Sequence, residues 1–246
     1  MSEQFPRKLY GRRKGPKLSP HKEELRRTLL PKLALKLEFG ADPRSYFLPP
    51  PSGEVEARSA SGGGITEVWL EIGFGAGEHL LALARANPHI GLIGAEPYEA
   101  GVAKLLSKIS LSPKGGERQG EGANIRIHEG DARQIIEALP DDCLGCVIIL
   151  FPDPWPKTRH HKRRFIQMEM LDQFARILKS GAELRFASDD AGYAEWTLER
   201  ALAHPAFLWS AKGPSDWRAR PADWPQTRYE TKALHGPPVY LRFTRT

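Results

Sequence analysis

A glycine turn lies between two apolar segments: Val68-Trp69-Leu70-Glu71-Ile72, then Gly73-Phe74-Gly75-Ala76-Gly77, then an amphipathic stretch over 78–86. The first segment reads as a buried strand and the last as a helix. Glycines between them let the chain reverse tightly and let its backbone approach a ligand with no Cβ in the way. The same alternation continues along the chain. Strands are expected over 91–96, 124–128, 146–150 and 183–188, with helices near 98–109, 132–138, 164–178 and 190–203. Strands and helices in this order give an α/β fold with a mostly parallel sheet covered on both faces. Residues 206–210 and 239–244 are expected to close the sheet as an antiparallel pair.

The 246 residues suffice for one compact domain with extensions, and 40% hydrophobic content sustains a core. Residues 1–64 are expected to form a basic N-terminal arm, short helices and a linker, and residues 65–246 the main domain. Within the first part, Leu25, Leu29, Leu30, Leu33 and Leu37 suggest helical pieces interrupted by Pro31. Residues 48–64 turn to Pro, Ser and Gly, as a linker does. The Gly-rich stretch 112–122 reads as a surface insertion without assigned function. No run of about 18 apolar residues is present, and no apolar stretch follows the N-terminal charges. A cytoplasmic protein that does not engage a membrane is expected.

Cys143 and Cys146 form a lone C-x-x-C at the start of an apolar run. A closed zinc site needs four ligands, so two core residues and no metal are expected. The formal net charge is +6, and its distribution is uneven. Nine Lys or Arg stand against two Glu between Arg7 and Arg27, and five basic residues with two histidines fill Lys157 to Arg164. Such clusters suit a polyanionic partner.

In open α/β sheets, ligands bind beyond the carboxyl ends of the strands. The first strand end carries Gly73 and Gly75 with Glu71 just before them. A dinucleotide fingerprint would space its glycines G-x-G-x-x-G, whereas here Glu78 takes the last position. A carboxylate at Glu71 suits the ammonium of a methionine moiety and would repel a pyrophosphate. Glu96, ending the second strand, stands where an acid meets both ribose hydroxyls. Asp131, followed by Ala132, is placed to accept from an adenine amino group or to cap a helix. These acids favour S-adenosylmethionine over a nicotinamide cofactor. The fourth strand ends in Phe151-Pro152-Asp153-Pro154-Trp155-Pro156-Lys157, whose prolines hold Asp153 and Trp155 in a rigid segment.

That segment, with Arg159-His160-His161-Lys162-Arg163-Arg164 after it, resembles the signature of bacterial tRNA (guanine-N7)-methyltransferases of the TrmB type. The tail Thr227-Arg228-Tyr229-Glu230-Thr231-Lys232-Ala233, then Gly236 and Tyr240-Leu241-Arg242-Phe243, is similar to that family's C-terminal motif. The match runs from about residue 66 to 246, and Tyr10-Gly11-Arg12-Arg13 also has the family's look. The resemblance implies a Rossmann-like class I S-adenosylmethionine methyltransferase fold acting on tRNA at the variable-loop guanosine 46. It places Glu71, Glu96 and Asp131 on the cofactor, and Asp153 between cofactor and base. It also places Lys157, Asp189, Thr227, Arg228, Tyr229 and Glu230 on the nucleoside.

Guanine N7 carries a lone pair and no proton, so no general base is needed to expose the nucleophile. Catalysis is then expected to rest on alignment and electrostatics, with Asp153 stabilising the charge that develops on the base. Trp155 or Tyr229 is a candidate for stacking on the base. Arg159, Lys162, Arg163 and Arg164, with the N-terminal arm, are expected on phosphates. No obligate protein partner is expected, the chain being a monomer or a homodimer. Rival readings are methylation of another base or of a protein, a non-catalytic RNA-binding module, and a nicotinamide-dependent oxidoreductase.

Overall fold

The expected strands pair into a single sheet. The computed structural model describes residues 10–11, 15–47, 64–111, 122–232 and 234–246. Most of the arm's tip, the linker over 48–63 and the Gly-rich residues 112–121 lie outside the described residues. The strands are β1 (Glu67–Ile72), β2 (Ile90–Ala95), β3 (Ile125–His128), β4 (Leu144–Leu150), β5 (Leu178–Ser188), β6 (Phe207–Trp209) and β7 (Val239–Arg245). The helices are α1 (Pro20–Thr28), α2 (Leu30–Leu33), α3 (Glu78–Ala86), α4 (Glu99–Ser110), α5 (Ala132–Ala138), α6 (Met168–Ile177), α7 (Ala191–Ala203), α8 (Ser215–Arg218) and α9 (Arg228–Lys232).

Strand order is β3-β2-β1-β4-β5-β7-β6. The first five strands run parallel, while β7 inserts antiparallel between β5 and β6. The order reverses between β1 and β4, which opens a crevice beyond their carboxyl ends. Successive residues of one strand feed opposite faces, the period-two rule of a strand. Val147 and Ile149 join Phe174, Ile177 and Phe186 on one side of the sheet. Cys146 and Ile148 join Leu80, Leu83, Val102 and Leu105 on the other. Cys146 is thus a core residue, and burial pushes its thiol up to about 12.

The described residues before residue 64 pack onto the main domain. Pro31 sits in the first turn of α2, where its missing N–H costs nothing, so it opens that helix. Leu25 and Leu33 are buried among the side chains of α3 and α4, and Leu35 joins the opposite core. Past α2 the chain runs beside β3, with Leu35 N–H donating to Ile127 O at 2.8 Å. Arg26 reaches Glu99 at the start of α4 and Glu129 after β3, the latter at 2.7 Å. Residues 15–47 are therefore part of the main domain's packing.

Leu33→Ala should lower the free energy of unfolding by about 2–4 kcal/mol, a value expected only for a leucine in a shared core. Urea unfolding measures it, and a change within about 0.5 kcal/mol would return α2 to an independent arm.

Candidate active site

Four parallel strands end on one cavity of about 400 Å³. Gly73 and Gly75 line it from the turn after β1, Glu96 from β2, Gly130, Asp131 and Ala132 from β3, and Phe151, Asp153 and Trp155 from the loop after β4. Gly73 has φ +75° and nothing within 4 Å of where a Cβ would project. Gly75, at φ +58°, is approached so closely by α4 that a Cβ on Gly101 would lie 2.4 Å from Gly75 O. The turn thus leaves open space on its ligand side and none behind it.

Glu96 is buried, and its two carboxylate oxygens are each held by one backbone donor. Gly75 N–H donates to Oε2 at 2.7 Å and Tyr98 N–H to Oε1 at 2.8 Å. A carboxylate has about four acceptor positions, so capacity remains for a diol. Burial pushes this carboxyl above its ordinary value of 4.5; the two backbone bonds oppose that, and Asp153 and Glu71 add to it.

Asp131 lines the cavity and is also the N-cap of α5, accepting from Arg133 N–H at 3.0 Å. The Arg133 guanidinium pairs with the same carboxylate at 2.6 Å. Glu71 lies one residue before the last position of β1, the strand that meets the glycine turn. It does not line the cavity; it is buried against His79 of α3, with Nδ1 to Oε2 at 2.9 Å. Ile72 and Glu71 point to opposite faces of β1, and it is Ile72 that reaches the cavity.

The loop after β4 carries Asp153, which is exposed at the cavity wall. Phe151 and Trp155 flank it with φ +51° and +46°, a left-handed conformation costing roughly 1–2 kcal/mol per non-glycine residue. Arg164 holds this strained loop. Its Nε donates to Pro154 O at 2.9 Å and its Nη1 to Gly192 O at 3.0 Å. Its guanidinium lies 4.9 Å from the Tyr193 ring centroid and 5.1 Å from that of Trp196. At 4% exposure Arg164 cannot reach a phosphate, which corrects its expected role. Arg159 and Lys162 are exposed on the 3-10 turn Thr158–Arg163, and Lys157 precedes it. Arg163 instead turns inward to the cavity wall, its guanidinium 4.9 Å from the Tyr10 ring and 4.8 Å from the Trp155 ring.

The C-terminal motif stands apart from the cavity lining. Thr227 and Glu230 form a capping box on α9: Glu230 N–H donates to Thr227 Oγ1 at 3.2 Å, and Thr227 N–H to Glu230 Oε2 at 3.4 Å. Asp189, after β5, accepts from His235 N–H at 3.2 Å. Just before α9, Trp224 packs with Tyr240, Leu150 and Phe151, which sets this segment beside the Asp153 loop. Lys157, Asp189 and Thr227 to Glu230 are not among the cavity-lining residues, and the Tyr229 side chain lies outside the described residues. Sequence reading missed His79, Tyr98 and Tyr193, whose roles arise from contacts across elements.

Arg164→Ala should lower both thermal stability and kcat while leaving the slope of log K for tRNA against log salt unchanged. Arg159→Ala and Lys162→Ala should each reduce that slope by about 1. A reduced slope for Arg164→Ala would restore it as a phosphate contact.

Residues 66–238 match the methyltransferase family described as "Putative methyltransferase". The tRNA (guanine-N(7)-)-methyltransferase of Rhodospirillum rubrum is 49% identical, covering 97% of this chain and 88% of that protein. The protein of the same description from Paramagnetospirillum magneticum is 44% identical, covering 97% and 92%. Among solved structures, the aminoglycoside resistance methyltransferase NpmB1 aligns at 18% identity and a TM-score of 0.47, covering 74% of this chain and 88% of that one. On the family match and the near end-to-end relatives, the chain belongs to the tRNA (guanine-N(7)-)-methyltransferase family, whose methyl donor is S-adenosylmethionine.

Proposed function

We infer that this chain methylates N7 of the variable-loop guanosine 46 of tRNA, with Asp153 at the junction of cofactor and base. The observation that carries the reading is the continuity of one cavity. Gly73, Glu96 and Asp131 line one part of it, and Asp153, Trp155 and Arg163 another. The donor set fits the cofactor: an open glycine cradle, and a buried carboxylate with acceptor capacity to spare.

Bound S-adenosylmethionine supplies an activated methyl group on a sulfonium. Glu96 accepts from the ribose hydroxyls, and Asp131 with the backbone at Ala132 faces the adenine. Glu71, behind the glycine turn, contributes negative charge towards the methionine ammonium without lining the pocket. Asp153 offers a carboxylate to the positive charge that develops on guanine. No residue has to remove a proton, because N7 carries none. Trp155, stiffened by its neighbouring prolines and by Arg163, presents a ring on which the base stacks. Lys157, Asp189 and the segment Thr227, Arg228, Tyr229 and Glu230 approach the nucleoside from the adjoining C-terminal side. Arg159 and Lys162 take phosphates.

Incubating the protein with labelled methyl donor and unmodified tRNA, then mapping the modified nucleoside, tests this directly. Label in 7-methylguanosine at nucleotide 46 is expected; label in another nucleoside, or at another position, would overturn the assignment. Asp153→Ala should lower kcat by about 10²–10³-fold at saturating substrates, and a wild-type kcat would remove Asp153 from the mechanism.

Glu96 gives a pH-dependent expectation. Its raised folded-state value means that the folded chain holds the proton more tightly than the unfolded one. It therefore supports folding below pH 4.5 and ceases to do so as pH rises through the raised value. Ribose recognition needs the ionised form, so cofactor affinity should fall as pH is lowered towards that value. Glu96→Gln should weaken binding about tenfold and abolish this dependence; calorimetric titration with S-adenosylhomocysteine reads both.

A further inference from the structure

The Glu230 carboxylate accepts hydrogen bonds from two parts of the chain, and a tyrosine from a third lies beside it. Arg220, two residues beyond α8, donates from Nε to Oε1 at 2.9 Å. Thr227 N–H donates to Oε2 within the capping box. Tyr240 on β7 lies beside the same side chain, and burial together with the Glu230 carboxylate pushes its phenol up. Arg220 also donates from Nη1 to Trp224 O at 2.5 Å, so one guanidinium fixes both the carboxylate and the segment leading into α9. Tyr240 is 5% exposed and Trp224 2%, so the far side of this arrangement is solid core.

A five-residue helix cannot hold its own shape in water, since nucleation costs more than so few hydrogen bonds return. The orientation of α9 must come from outside it. Arg220 and Tyr240 are the anchors in view, together with the capping box.

We propose that Arg220 and Tyr240 are positioning residues for nucleoside recognition, holding α9 and its Glu230 carboxylate in the orientation that receives the guanosine. Neither touches the reacting atoms; both act through Glu230. This rests on the reading above, in which Glu230 lies on the nucleoside side.

The test is a double-mutant cycle on the full-length protein with unmodified tRNA. It measures kcat, KM for tRNA, the dissociation constant for S-adenosylhomocysteine, and thermal stability. Arg220→Ala should raise KM for tRNA about tenfold, the loss of one charge-assisted contact. Cofactor affinity should stay within about twofold of wild type. Arg220→Lys should recover part of the loss, since an ammonium keeps the charge but cannot fork to both Glu230 and Trp224. Tyr240→Phe, which keeps the packed ring, should raise KM about threefold. Arg220→Ala combined with Glu230→Gln should be little worse than Glu230→Gln alone, because the two act as one unit.

Additive losses, or a wild-type KM for Arg220→Ala beside an impaired Glu230→Gln, would overturn the positioning role and leave Glu230 in place. Cofactor affinity and stability falling in step with KM in both Arg220→Ala and Tyr240→Phe would reduce the pair to fold maintenance and overturn it too. A Glu230→Gln enzyme indistinguishable from wild type would remove Glu230 itself, and the positioning role with it.

Discussion

Two short hydrogen bonds to one buried carboxylate connect the parts of this site. Glu96, at the end of β2, accepts from Gly75 N–H at 2.7 Å and from Tyr98 N–H at 2.8 Å. The first bond fixes the glycine turn after β1, and the second fixes the entry to α4. Burying a carboxylate is costly unless donors meet it. Here the donors are backbone groups that would otherwise lack partners at a turn and a helix start. The interaction therefore stabilises the turn, orients the helix and leaves a charged acceptor facing the cavity. The close approach of Gly101 to Gly75 depends on the same junction.

Around that junction, segments distant in sequence close the remaining sides. The N-terminal residues contribute core leucines to both faces and bring Tyr10 and Gly11 to the cavity wall. The C-terminal strand β7 lies against β5 and places Tyr240 beside Trp224 and Phe151. Arg164 ties the strained Asp153 loop to the start of α7. The sheet supplies a rigid edge, and these outlying segments decide what shape of ligand that edge receives.

Much of this was legible in the sequence. Apolar runs closed by glycine or acid located the strands, because a strand buried on both faces leaves a continuous hydrophobic record. The antiparallel closing pair left a weaker record, since Leu208 is exposed and Arg242 and Thr244 interrupt the apolar residues of β7. The first part of β5 was not: Lys179, Ser180 and Gly181 are polar and lie where the strand projects beyond the core. The start of β4 was obscured by Gly145, where the register shifts between Leu144 and Cys146. Glu96, Asp131 and Asp153 were recognisable from their places at strand ends. The pairing of Glu71 with His79 carried no signal, since distance from the glycines says nothing of a residue across on α3. Arg164 was misread because one arginine in a basic run looks like its neighbours. Only Gly192, Tyr193 and Trp196, about thirty residues away in the chain, mark it as buried. Arg220 carried no local signal at all.

The chemistry asked of this site is alignment and charge, with no proton to move at the nucleophile. The most direct measurement is the single-turnover rate of methyl transfer from the preformed complex of enzyme, S-adenosylmethionine and unmodified tRNA, followed from pH 6 to 9. A rate independent of pH across that range is the expected result. A rate that climbs tenfold per pH unit would require a general base in the rate-limiting step, and would contradict catalysis by position and field alone.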